Sequence, residues 1–333
     1  MKNTLPLLLT MGDPAGVGPQ IAVESLLRGG LDCNVVVVGD VGVMRRAAAF
    51  CSLPAAFNVL EGEDGDFSGV GDGVINIINV NAIDASDFAP GKPQANCGRA
   101  AYQYIIKAIE IAMAGRAAGV VTNPISKESL KMAGIDYPGH TEIFADKTGV
   151  GEGGYSMVFL LDGVAVAHVT THVSLRNAIN MITKERVLAQ IRLLHRSLKS
   201  LGLDPPRMAV SGLNPHAGEN GLFGDEEIKE IIPAINAAKA EGIDAAGPLP
   251  PDTVFNRAFK GEFNGVISML HDHGFVALKS RDFDRGVNIT VGLPIIRTSV
   301  GHGTAFDIAW KSKASCGSLE SAVRVALALT SKD

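Results

Sequence analysis

Aromatic side chains make up only 5% of this 333-residue chain, with a single tryptophan, so its core must be built mostly from Val, Ile, Leu and Ala. Long apolar runs are also missing, and none reaches the ~20 residues a membrane-spanning helix requires. Asp13 and Pro14 interrupt the apolar start of "MKNTLPLLLTMGDPAG" too early for a secretion signal, so a cytoplasmic protein is expected. The four cysteines, Cys33, Cys51, Cys97 and Cys316, form no Cys-x-x-Cys pair. That scatter suits reduced, buried thiols better than a disulfide framework. Basic residues are not in excess. A net charge of −5 argues against a general nucleic-acid or membrane surface. It leaves room for a phosphorylated small molecule, which needs only a few local cations.

What the chain does have is alternation. Short β-branched runs are interleaved with segments of helical period, the signature of an α/β protein with a largely parallel sheet. Strands are expected over 5–11, 35–39, 74–80, 119–122, 155–161, 164–170, 208–213, 265–270 and 287–291. Helices are expected over 19–28, 94–114, 184–201, 225–240 and 318–329. Pro19 in a first turn and Thr183 as an N-cap are start signals. No repeat, low-complexity tract or long linker marks a domain boundary.

Histidines stand in a pattern along these strands. "VAVAHVTTH" ends at His172, "MAVSGLNPH" at His216 and "VISMLH" at His271. Each is delivered at or beyond a strand's C-terminal end, where open α/β sheets bind ligands. Three imidazoles there suit a divalent metal with an open coordination position; taken singly, each is more often a hydrogen-bonded loop residue. His168, inside a strand, is read as a satisfied core residue, and His195, in the basic "RLLHRSLK", as solvated. The loop "TMGDPAGVGPQ" is either an anion cradle at a helix start or simply a tight strand-to-helix turn. His140 and Thr141 in "YPGHTE" sit at an expected helix start. With Lys279, Asn288 and Arg297 they make a reasonable phosphate cradle, although each cation alone reads as surface charge.

The segments "TMGDPAGVGP", "YPGHTE", "THVSLR", "GLNPHAGE", "HDHG" and "GVNITVGLPIIRTSVGHGTAFDIA" together resemble the 4-hydroxythreonine-4-phosphate dehydrogenase family, PdxA, from about residue 5 to about residue 325. The resemblance implies an isocitrate/isopropylmalate dehydrogenase-like fold of two α/β domains with a cleft between them. The expected domains are 1–135 with 300–333, and 136–299. It implies metal ligands at His172, His216 and His271, and substrate contacts at His140, Thr141, Lys279, Asn288 and Arg297. "GHGTAFDIA" resembles an adenosine-binding loop, which points to His302, Gly303 and Asp307 for NAD or NADP. The implied metal is divalent, zinc first and magnesium, cobalt or manganese otherwise.

The implied reaction is oxidation, with decarboxylation, of a 4-phosphorylated hydroxy acid such as 4-hydroxy-L-threonine 4-phosphate, with Lys279 or Asp272 relaying the proton. "GENGLFGDEE" and "GPLPPDTVF" resemble the branch acting on D-threonate or D-erythronate 4-phosphate. A more distant branch takes a phosphate-free cis-dihydrodiol and tends to lose the His-Thr pair and the arginine, both present here. The family also implies a homodimer with shared sites, with His172 and His216 from one chain and His271 from the other. His273 departs from the usual glutamine and is read as replacing its hydrogen bond. A three-histidine metal hydrolase is the rival reading, separable by its independence of NAD.

Overall fold

The computed structural model describes residues 5–28, 31, 34–60, 67, 73–151, 153–282, 285–311 and 314–330, so Cys33 lies outside the described residues. The chain runs β1 (Leu7–Thr10), α1 (Gly18–Leu27), β2 (Val35–Gly39), α2 (Val41–Phe50), β3 (Phe57–Leu60), β4 (Ile75–Asn79), α3 (Ala95–Met113), β5 (Gly119–Thr122), α4 (Lys127–Met132) and α5 (His140–Lys147). It continues with β6 (Ser156–Leu161), β7 (Val164–His168), α6 (Leu175–Met181), α7 (Lys184–Ser200) and β8 (Met208–Ser211). After a tight 3-10 segment (Pro215–Gly221) and a π turn (Glu227–Ile231) come α8 (Ile232–Ala240), β9 (Ala245–Leu249) and α9 (Val254–Phe259). The remaining elements are β10 (Gly265–Ser268), α10 (His271–Arg281), β11 (Val287–Val291), β12 (Arg297–Val300) and α11 (Gly317–Thr330).

Contacts divide the chain into two compact units, 1–150 with 293–333, and 151–292. In the first unit the strands run β3-β4-β2-β1-β5-β12, every neighbour parallel. β2 reads Val-Val-Val-Val because both its faces are covered; all four valines are buried. Each contributes about 1.5–3 kcal/mol of burial. α5 and β12 belong to this unit, so His140, Thr141 and Arg297 lie in it rather than in a domain of residues 136–299.

The second unit orders its strands β11-β6-β7-β10-β8-β9. β6 pairs antiparallel with β11 and β7, and the rest are parallel. In its core Phe159, Phe255, Phe263 and Phe275 pack with Leu161, Val164, Val166, Val266 and Leu278. Aliphatic residues are the majority of that cluster too, as the composition predicts. Thr183 caps α7 by accepting from the Arg186 N–H, as its position predicts. The expected buried thiols are only partly so, since Cys97 is buried while Cys51 and Cys316 are half-buried. His195, on α7, is intermediate in exposure and is not among the buried residues of that helix.

Candidate active site

In the second unit, β7, β10 and β8 are adjacent and parallel, so their C-terminal ends share one sheet edge. His172 follows β7, His271 is the first residue of α10 after β10, and His216 lies in the 3-10 segment after β8. Ser268 and His168 are register partners at that edge, so the two loops leave side by side. The His172 and His271 rings lie 5.6 Å apart, centre to centre. Asp272 Oδ1 is 2.9 Å from His271 Nδ1, which leaves Nε2 as the nitrogen available to a ligand. Thr170, Thr171, Leu270 and Asp272 line a cavity of about 130 Å³ with the two histidines.

His216 is not part of this pair. Among the described residues no three His, Cys, Asp or Glu side chains gather into a metal-binding set. Adjacent strands bring His172 and His271 together in one chain, and His216 is not grouped with them. His216 instead begins a run of left-handed residues, with φ of 53°, 54°, 81°, 43° and 55° from His216 to Asn220. Only Gly218 in that run lacks a Cβ, and each of the others costs about 1–2 kcal/mol. The His216 ring faces Phe223, 6.3 Å away between centres.

Beneath the pair, His168 is in the core but not satisfied, since neither ring nitrogen has a hydrogen-bond partner. It stacks on Phe275 at 4.8 Å, and that ring also packs on His271 at 4.5 Å. Burial, with His271 nearby, pushes the His168 imidazole down to about 3, so it is neutral. The glycine of "HDHG" has a reason here: a Cβ on Gly274 would lie 2.3 Å from His168 Nε2. His273 borders a second cavity of about 710 Å³ with Asp252, Phe255, Phe259 and Arg281. Its Nδ1 has no partner, so the glutamine-like hydrogen bond expected of it is not made by that atom. Lys279 lies further along α10, its Nζ 5.1 Å from the centre of the Phe275 ring, and Asn288 sits on β11 opposite Phe159.

The remaining expected substrate residues are in the first unit. His140 and Thr141 open α5 behind Gly139, which offers no side-chain cap. Arg297 on β12 is 3% exposed. Its Nη2 donates to Thr122 Oγ1 at 2.7 Å, and its guanidinium lies 5.6 Å from the Phe144 ring centre. Burial lowers its pKa to about 9, and the opposing pull of Glu142 does not offset that. Burial and then Arg297 hold His140 well below the ordinary histidine range, and its Nε2 has no partner. A buried cation thus stands beside a neutral imidazole at a helix start. Phosphate chemistry uses that combination.

Two further loops meet in the first unit. The "TMGDPAGVGPQ" loop is buried from Met11 to Gln20, and the Val17 N–H donates to Thr304 O. Its glycines serve close packing: a Cβ on Gly18 would be 2.4 Å from Met11 O, and one on Gly16 would be 3.0 Å from Thr304. The loop makes a tight strand-to-helix turn. In the facing loop, His302 Nδ1 is 2.9 Å from Gly303 O, Asp307 is exposed, and Gly303 has open space where a Cβ would be.

Asp13 in the buried loop reads in the sequence only as a break in an apolar run, with no role in a site. It accepts from the Ala15 N–H, its Oδ2 has no partner, and burial raises its pKa from 3.8 to about 6. A raised carboxyl favours the fold while protonated. That contribution is present below pH 3.8 and is lost as pH rises through about 6. Asp13→Asn keeps an oxygen for Ala15 and cannot ionise. It is expected to be more stable than the parent at pH 7.5, by up to about 3 kcal/mol, with the difference vanishing near pH 4. Denaturant titrations at the two pH values test this, and equal stabilities at pH 7.5 would refute it.

Comparison with known proteins places this geometry. The family model "Pyridoxal phosphate biosynthetic protein PdxA" matches residues 31–326. D-threonate 4-phosphate dehydrogenase of Pectobacterium atrosepticum is 46% identical over 97% of this chain and 98% of its own. The crystal structure of 4-hydroxythreonine-4-phosphate dehydrogenase from Klebsiella pneumoniae superposes with a TM-score of 0.86 at 42% identity, covering 98% of each chain. A terephthalate 1,2-cis-dihydrodiol dehydrogenase from Burkholderia xenovorans LB400 is more distant, at a TM-score of 0.67 and 26% identity over 97% and 98% of the two chains. Matched over most of its length in both sequence and fold, the chain belongs to the PdxA family.

Proposed function

We propose that this chain is an NAD(P)-dependent dehydrogenase that oxidises a phosphorylated four-carbon hydroxy acid, with D-threonate 4-phosphate favoured. One observation carries the phosphate: Arg297 is a buried guanidinium beside His140, whose imidazole burial holds well below the ordinary histidine range, at the start of α5. A dianionic phosphate would accept from that guanidinium and from the start of α5 at His140 and Thr141. Lys279 and Asn288 are proposed to complete the substrate contacts. The relative at 46% identity is named for D-threonate 4-phosphate, and the Klebsiella structure for another phosphorylated four-carbon acid.

His172 and His271 fit a divalent metal: they are two imidazoles at one cavity, and Asp272 fixes the tautomer of the second. When bound, the metal (zinc first, or magnesium, cobalt or manganese) supplies Lewis acidity toward the substrate hydroxyl, and NAD or NADP at the His302, Gly303 and Asp307 loop supplies the hydride acceptor. Asp272 already holds His271, so the proton of the hydroxyl is assigned to Lys279. Oxidation beside the carboxylated carbon yields a β-keto acid, which then loses its carboxylate as carbon dioxide.

A second copy completes the ligand set with His216 of the partner subunit. The loops that carry these histidines expose Val173, Leu175 and Ile179 on one side, and Leu222 and Phe223 on the other, an apolar surface that a homodimer would cover. No helix of the described residues is long and apolar enough to cross a membrane.

The test is NAD(P)H formation against D-threonate 4-phosphate, D-erythronate 4-phosphate, 4-hydroxy-L-threonine 4-phosphate and a cis-dihydrodiol, each also run without nucleotide. D-threonate 4-phosphate is expected to lead by about 10-fold or more in kcat/KM. Equal use of the dihydrodiol, or turnover without nucleotide, would overturn the assignment.

A further inference from the structure

The turn that carries His216 is closed by backbone bonds from the Ala217 N–H to Asn214 O at 3.1 Å and from the Phe223 N–H to Gly218 O at 3.2 Å. Five consecutive residues are left-handed, and four of them bear a Cβ. A neighbouring side chain anchors the residues from which this run departs. Glu227, at the start of the π turn, is 2% exposed and directs its carboxylate back under the segment. Oε1 accepts from the Leu213 N–H at 2.7 Å and from the Asn214 N–H at 2.8 Å. Oε2 accepts from Asn214 Nδ2 at 2.9 Å. Those donors are the residues immediately before the turn.

The packing around that carboxylate is equally close. A Cβ on Gly218 would lie 2.8 Å from Oε2, and one on Gly212 would lie 3.1 Å from Oε1 and 2.8 Å from the Ala217 Cα. Glycines on both sides of His216 therefore let the chain wrap one buried carboxylate. Three hydrogen bonds to a desolvated carboxylate are strong and directional. A five-residue left-handed segment without them would relax toward right-handed or extended backbone, and the direction of the His216 ring would change with it.

We propose that Glu227 is the positioning residue for His216, holding the left-handed turn so that its imidazole is presented as a metal ligand. This rests on the reading of His216 as a ligand. Glu227 itself meets neither metal nor substrate.

The experiment measures cobalt(II) dissociation constants, with the cobalt visible spectrum, on the full-length parent protein and on His216→Ala, Glu227→Ala and Glu227→Gln, each checked by circular dichroism. Glu227→Ala is expected to weaken cobalt binding by about 30-fold or more, approaching His216→Ala, and to change the ligand-field bands. Gln keeps one acceptor for Leu213 and Asn214 but turns an N–H₂ toward Asn214 Nδ2. Glu227→Gln is therefore expected to lose about 3- to 10-fold while retaining the parent's circular dichroism, and it decides the matter if the alanine variant does not fold. If His216→Ala weakens binding but both Glu227 variants bind cobalt as the parent does, Glu227 is structural and the inference fails alone. If His216→Ala itself binds cobalt normally, the ligand reading fails and takes the inference with it.

Discussion

Replacing Arg297 by alanine is expected to lower kcat/KM on a 4-phosphorylated substrate by roughly 30- to 1000-fold, about 2–4 kcal/mol. The reason is local. The Arg297 charge is held at 3% exposure against Thr122 and Phe144, with its pKa brought down to about 9 by burial. An anion that enters meets this guanidinium in a water-poor site, where a charge-assisted contact is strong.

Two consequences separate this from simple loss of packing. A phosphate-free analogue should be processed by Arg297→Ala at nearly the parental rate, because the contact removed was to the phosphate. Added inorganic phosphate should raise the Tm of the parent and leave that of the variant unchanged. Equal kcat/KM for parent and Arg297→Ala on the phosphorylated substrate would remove Arg297 from the pocket.

The sequence disclosed this site unevenly, for physical reasons. Strand-end histidines were legible because apolar runs such as "VISML" announce strands, and chain direction then says which end a residue leaves from. α10 was not legible. Its first turn is "HDHG", whose polar residues read as loop, and its N-cap is Leu270, without a capping side chain. β12 was hidden likewise, because Arg297 and two hydroxyl residues in a four-residue strand look like surface until both faces prove to be covered. The left-handed turn at His216 left no trace in periodicity, and only the glycines at 212 and 218 hinted at a close approach. Asp13 reads only as a break in an apolar start. Its N–H donates to Pro124 O, more than a hundred residues away in the chain, a neighbour that no local pattern can report.

Which chain supplies which histidine can be decided by mixing inactive proteins. His172 and His271 are ring neighbours within one chain, while His216 stands apart from them. If His216 of the partner subunit completes the set, His172→Ala or His271→Ala removes one ligand from a chain's own site, and His216→Ala removes one from the site of its partner. Each variant alone is expected to be inactive. In a mixed dimer of His271→Ala and His216→Ala, one site collects both lesions and the other receives three intact histidines. Random reassembly of equal amounts should therefore restore about a quarter of parental activity, since half the dimers are mixed and each has one good site. His172→Ala mixed with His216→Ala should behave the same way. His172→Ala mixed with His271→Ala should stay inactive, because every site then lacks one ligand. Were His172 and His216 drawn from one chain and His271 from the other, the outcomes of these last two mixtures would be exchanged. A site built within a single chain would give no recovery in any mixture, even with subunit exchange demonstrated by mass spectrometry.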